Sequence, residues 1–170
     1  MKPGVATIHL LLQYDGNERD MTVTVVGPVV DTSDGVVAES GSGVLKMHKG
    51  GITDVTSHLE MSNDAEVTYA HFDKNSNEAV YDEIRTGDTV RMSVDDSWYY
   101  DYLMVVSGDA NGDGDVSSGD YVDIKKHIMT IETIAVSTPY FLAADLNDDT
   151  LVSSMDYIKV RNYIMNGGDS

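Results

Sequence analysis

The sequence predicts two modules: an all-β antiparallel sandwich of Ig-like type over residues 1–105, and an all-α unit of two loop–helix repeats over residues 106–170. Two observations carry this. Short apolar or alternating segments recur about every 8–12 residues through the first hundred positions, divided by turn signals. Beyond them, a 12-residue stretch rich in Asp and Asn occurs twice, 36 residues apart, each time followed by apolar residues at helical spacing.

The strands are expected at 7–14, 21–26, 44–47, 52–61, 65–72, 80–84, 89–94 and 99–106. Each is rich in β-branched or aromatic residues. The turns are expected at Asp15-Gly16-Asn17, Gly27-Pro28, Asp34-Gly35, Gly41-Ser42-Gly43, Gly50-Gly51, Asn75-Ser76-Asn77 and Thr86-Gly87-Asp88. No amphipathic helix is evident before residue 106. The last strand enters Ser107-Gly108-Asp109 with no Pro-rich or Ser-rich linker, so the modules are expected to pack closely.

The repeated stretch has the spacing of a calcium loop. Calcium takes six to eight oxygens, and a 12-residue loop offers them at positions 1, 3, 5, 7, 9 and 12. In the first copy these are Asp109, Asn111, Asp113, the backbone carbonyl of Asp115, Ser117 and Asp120. In the second they are Asp145, Asn147, Asp149, the carbonyl of Leu151, Ser153 and Asp156. Two bound ions are expected. Gly114 at position 6 suits the sharp turn, whereas Thr150 replaces it in the second copy. A β-branched residue in a left-handed conformation costs on the order of 1–2 kcal/mol, so the second site is expected to be the weaker.

The copies also agree outside their ligands. Val116-Ser117-Ser118 returns as Val152-Ser153-Ser154, Asp120-Tyr121 as Asp156-Tyr157, and Ile128-Met129 as Ile164-Met165. Tyr121, Ile124 and Ile128, then Tyr157, Val160 and Ile164, define one apolar face per helix. Ser118 and Ser154 are placed to cap these helices. Pro139 suits the first turn of a short helix in which Tyr140, Phe141 and Leu142 fill the small core. A core of this size depends on metal.

Two loop–helix units with no entering helix, Asp at position 12 and a leading Gly108-Asp109 depart from an ordinary EF-hand and resemble the dockerin family. The resemblance covers about Val106 to Gly167. It implies a non-catalytic, calcium-dependent module that binds a cohesin domain and anchors a secreted bacterial protein in a cellulosome-type or cell-surface assembly. It also implies cohesin contacts at Ser118, Gly119, Lys125 and Lys126 on one helix, and at Ser154, Met155, Arg161 and Asn162 on the other. Members with near-identical faces bind in two orientations. Here Gly119 faces Met155 in the alignment of the copies, so a single mode favouring the Met155 face is expected. By position and class the β module is similar to the X modules that precede some dockerins.

Composition bounds the rest. Residues 1–105 carry 7 Lys and Arg against 18 Asp and Glu, a net −11; residues 106–170 carry 4 against 11, a net −7. Such acidity makes nucleic acid and anionic membrane surfaces poor partners. There is no cysteine. No apolar run approaches the ~20 residues of a spanning helix. The N-terminus shows no apolar signal-peptide core, so the chain is expected to be the C-terminal piece of a larger extracellular protein.

Catalysis is not expected. His9, His48, His58, His71 and His127 form no His-x-His or His-x-x-x-His pair, and Ser40, Ser42 and Ser93 sit in no nucleophile elbow. Trp98, Tyr100 and Tyr102 share one strand face, which suits packing against the helical module or, as the alternative function, a polysaccharide platform.

Overall fold

The computed structural model describes residues 5–14, 17–33, 36–39, 43–48, 51–61, 66–95 and 98–167. The expected turns at Asp15-Gly16, Asp34-Gly35, Gly41-Ser42 and Gly50 lie outside these residues, as do Ser40 and Asp96. A β-rich region precedes a helical one. The strands are β1 (Val5–Tyr14), β2 (Asn17–Val26), β3 (Pro28–Val30), β4 (Val37–Glu39), β5 (Val44–Met47), β6 (Leu59–Met61), β7 (Thr68–Phe72), β8 (Thr89–Asp95) and β9 (Trp98–Val106), with helix α1 (Ile52–Ser57) between β5 and β6. Helices α2 (Ser118–Ile128), α3 (Pro139–Ala144) and α4 (Ser154–Met165) follow.

β1 and β2 pair as an antiparallel hairpin, and β3 pairs with β6. The main sheet has the order β4-β5-β9-β8-β7. Its β5–β9 pair is parallel, with Val44 opposite Leu103 and Met47 opposite Val106. The sheet is therefore mixed, and the described residues form small sheets rather than an antiparallel Ig-like sandwich. Closely spaced turn signals report neighbouring hairpins, whereas the parallel pair joins strands that are far apart in sequence.

Alternation along β9 decides where the core lies. Tyr102, Met104 and Val106 share one face with Leu45, Met47, Val90 and Met92, and all are buried. Val55 of α1, Leu59 and Met61 of β6, and Ile84 close that face. Val105, on the other face, is also fully buried, and α3 packs against β9.

Two expected strands are corrected. Segment 52–61 begins with helix α1, because the Asp54 carboxylate accepts the Gly51 N–H at 2.7 Å and organises a first turn. Only residues 59–61 extend. Segment 80–84 forms no strand; Val80 is exposed and Ile84 is buried beneath bends. Isolated bridges at Glu78 and Glu83 hold the bends to Phe72 and Gly51.

The aromatic strand divides. Tyr102 is buried in the β core and Tyr100 packs against that core, while Trp98 and Tyr99 are exposed. Arg91 lies 4.0 Å over the Tyr99 ring and pairs with Asp101 at 2.7 Å. Packing within the β-rich region, not against the helices, is what the two inner tyrosines do.

Met104 sits at the centre of the sheet with no exposed surface. Met104→Ala is expected to lower unfolding stability by about 2–5 kcal/mol, and Val80→Ala by less than about 0.5 kcal/mol. Chemical denaturation followed by tyrosine and tryptophan fluorescence measures both.

Candidate metal centre

Strand β9 delivers the chain directly into the first loop. Gly108, at φ +95, turns it so that Asp109 points inward. The Asp109 Oδ1 accepts N–H groups from Gly112 at 2.9 Å and Asp113 at 3.1 Å. Its Oδ2 accepts from Gly114 at 3.3 Å and from Thr86 of the β-rich region at 2.9 Å. Asn111 Oδ1 accepts the Asp113 N–H, and Asp113 Oδ1 accepts the Asp115 N–H. Asp120 closes the loop, its two oxygens accepting from Asn111 at 3.1 Å and Ser117 at 2.8 Å.

The second loop repeats the pattern. Asp145 accepts from Asp149 at 3.2 Å and Thr150 at 2.8 Å. Asn147 Oδ1 accepts the Asp149 N–H, and Asp149 Oδ1 accepts the Leu151 N–H. Asp156 accepts from Leu146, Asn147 and Ser153. Asp115 and Leu151, whose backbone carbonyls hold position 7, are exposed residues.

The helix caps lie one residue earlier than expected. Ser117 and Ser153 are the N-caps, accepting N–H groups from Gly119 at 3.1 Å and Met155 at 3.2 Å. Ser118 and Ser154 are the first helical residues, and both are exposed. Asp120 and Asp156, at the third helical position, complete capping boxes. One carboxylate thus closes each loop and starts each helix.

The helices meet along the expected faces except at Ile128, which is exposed. Ile124 and Val160 are fully buried with Ala110 and Ala144, and the Tyr121 and Tyr157 rings stack at 4.4 Å with their hydroxyls hydrogen-bonded. That bond is the main cause that raises the Tyr157 pKa. Thr138 caps α3 through a 3.3 Å bond from Phe141 N–H. Phe141 is buried edge-on to His127, whose Nδ1 accepts the Ile134 N–H. Tyr140 points elsewhere, lying against Gly87 and Gly112.

The carboxylates carry the electrostatic argument. Asp109, Asp120 and Asp156 have no exposed surface and Asp145 has 4%. Among the described residues, no Lys, Arg or His side chain pairs with any of the four. Burial pushes the Asp120 carboxyl up to about 6, and the charges of Asp109 and Asp113 add to the rise. Burial also raises Asp109, against the N–H groups of Thr86, Gly114 and Asp113. Buried charge of this kind is ordinarily paired or bound to metal.

Among the described residues no three carboxylates or imidazoles stand converged as a finished coordination cluster. The donors available in each loop are instead three carboxylates mixed with an asparagine amide, a serine and a backbone carbonyl. An all-oxygen set of that composition fits calcium and does not fit a soft metal.

The residues expected to contact a partner lie on the outer helix faces. Ser118, Gly119 and Lys125 of α2 are exposed, while Lys126 is half-buried and paired with Glu132 at 3.0 Å and Asp123 at 3.4 Å. Ser154, Met155, Arg161 and Asn162 of α4 are exposed. Sequence reasoning missed the exposed apolar residues beside them: Val122 on α2 with Met129 at its C-cap, and Ile158 and Met165 on α4. Their signal was available. Val122 and Ile158 match between the copies yet fall outside the register of Ile124 and Val160.

Residues 107–165 match the family model of the dockerin type I domain. No curated protein and no solved structure matches the chain.

Thr150 has φ +72, in the left-handed region. Thr150→Gly relieves that strain and is expected to stabilise the chain by about 1 kcal/mol, with tighter calcium binding at the second loop. Denaturation with and without calcium, together with calorimetry, checks it.

A pH dependence follows from Asp120. Its folded pKa exceeds the unfolded value, so the folded metal-free chain binds more protons, and this group's contribution to stability falls as pH rises from about 4 to about 6. Calcium requires the carboxylate and displaces that proton. Titration calorimetry in buffers of different ionisation enthalpy is expected to show proton release at pH 5.5 and none at pH 8, with weaker affinity at the lower pH.

Proposed function

We infer that the dockerin type I domain at residues 107–165 docks this protein, in a calcium-dependent and non-catalytic way, onto a cohesin domain. Dockerin domains bind calcium and cohesin, so these coarse properties come with the family. The finer reading has Asp109, Asn111, Asp113, Asp115 carbonyl, Ser117 and Asp120 holding one ion. Asp145, Asn147, Asp149, Leu151 carbonyl, Ser153 and Asp156 hold a second. The parent protein is then an extracellular or cell-surface component of a cellulosome-type assembly. Residues 1–105 act as an X-module-like support, with the module boundary at residue 106. No described helix is long and apolar enough to cross a membrane.

The observation that carries this reading is the pairing of two loop–helix units whose outer stripes stay uncovered. Each stripe combines a serine at the helix start, exposed apolar residues and a cation. That mixture suits a protein surface with an apolar centre and a polar rim. The α4 stripe is the more apolar, with Met155, Ile158 and Met165 all exposed, whereas α2 offers Gly119 at the matching first position. A single docking mode led by α4 follows.

Two measurements test the proposal. Immobilised cohesins are expected to capture the chain in calcium and lose it in chelator; capture by none of them, or capture indifferent to chelator, would overturn the docking reading. Ile158→Asp is expected to weaken cohesin binding by about tenfold or more and the equivalent Val122→Asp by less than about threefold. Equal losses would remove the α4 preference alone. The matched pair is chosen because a Cβ on Gly119 would approach Asn111 Nδ2 to 3.1 Å and disturb the first loop.

A further inference from the structure

We propose that the β-rich region is the seat of both loops, with Thr86 and Lys46 as positioning residues. Calcium binding and the packing of the two regions then form one coupled equilibrium. This rests on reading residues 109–120 and 145–156 as calcium loops.

The first loop is completed from outside itself. Of the four N–H groups that hold the Asp109 carboxylate, the one from Thr86 belongs to the β-rich region. Thr86 is fully buried, and its hydroxyl accepts the Val106 N–H at 3.0 Å. Asp88 fixes its turn, accepting the Arg85 N–H at 3.0 Å while bonded to His71 at 2.9 Å and to the Tyr81 hydroxyl at 3.1 Å. The carboxylate that opens the loop is therefore aimed by a turn already rigid on the β side.

The second loop is tethered by a different device. Lys46 of β5 places its ammonium 2.5 Å from the Asp145 carbonyl and 2.6 Å from Asp148 Oδ1. It bonds the backbone of Asp145, so both carboxylate oxygens of Asp145 stay with the N–H groups of their own loop. Asp148 holds position 4 at φ +57, where the first loop has Gly112 at φ +72.

That difference explains why the copies diverge where they do. A Cβ on Gly112 would stand 2.6 Å from the Tyr140 ring and 2.8 Å from the Thr86 carbonyl. One on Gly114 would stand 2.9 Å from Arg85. The first loop needs glycine because it is pressed against its seat. The second is held at arm's length by an ion pair and has room for Asp148 and Thr150.

Coupling is reciprocal, so an ion that orders the loops must also order their seat. Hydrogen exchange of the full chain tests this. Calcium is expected to slow exchange at residues 84–88 by about tenfold, although those residues lie outside the helical region. Lys46→Met, which keeps the stem and removes the donor, is expected to speed exchange of residues 145–149 several-fold while protection at 84–88 persists. Calcium uptake with protection confined to 107–167 would overturn the coupling and leave the docking reading standing. Unchanged exchange at 145–149 in Lys46→Met would overturn the role of Lys46. No calcium uptake at all by calorimetry would overturn both readings.

Discussion

Four aspartates at the first and last positions of two loops are buried, their carboxylates in no ion pair among the described residues, and the helical region depends on how that charge is met. Backbone N–H groups meet part of it, and a calcium ion, as the family binds, would meet the rest. Helix geometry follows from the same atoms. Asp120 and Asp156 close their loops and also cap α2 and α4, so whatever fixes a loop fixes where its helix begins. Helices about three turns long are thereby aimed by a carboxylate at their root.

The β-rich region enters at the opposite end of those loops. The loop carboxylates are served by the loops' own backbone, with Thr86 as an external addition at Asp109. Non-ligand positions meet the neighbouring structure: Gly112 and Gly114 by close approach, Asp148 through Lys46. The helix faces carrying Val122, Met129, Met155, Ile158 and Met165 remain uncovered. The loops thus meet the β-rich region on one side, and the helices leave these faces exposed.

Legibility followed sequence distance. The two loop–helix units, the helix faces around Ile124 and Val160, and the start of α3 at Pro139 were readable because their determinants lie within twelve residues of one another. The β5–β9 parallel pair was not, since the strands are separated by α1 and three further strands. Helix α1 was hidden because Gly51 and Asp54, its start signal, lie in a segment whose other residues favour a strand. The cap moved from Ser118 to Ser117 because adjacent serines offer the same oxygen and only backbone geometry separates them. Lys46 and Asp148, 102 residues apart, left no local trace.

The substitutions between the copies gain a different meaning from these contacts. Read along the chain, Thr150 in place of Gly114 looks like a defect in a metal loop, and Met155 in place of Gly119 like drift on a surface. Thr150 and Asp148 occupy left-handed positions that the first loop reserves for glycine because the Arg85–Asp88 turn and Tyr140 crowd it. Met155 is exposed. A duplicated unit placed against one asymmetric neighbour cannot keep both copies alike. The copy pressed on the support must stay small, and the copy held farther off is free to carry the bulkier, more apolar face.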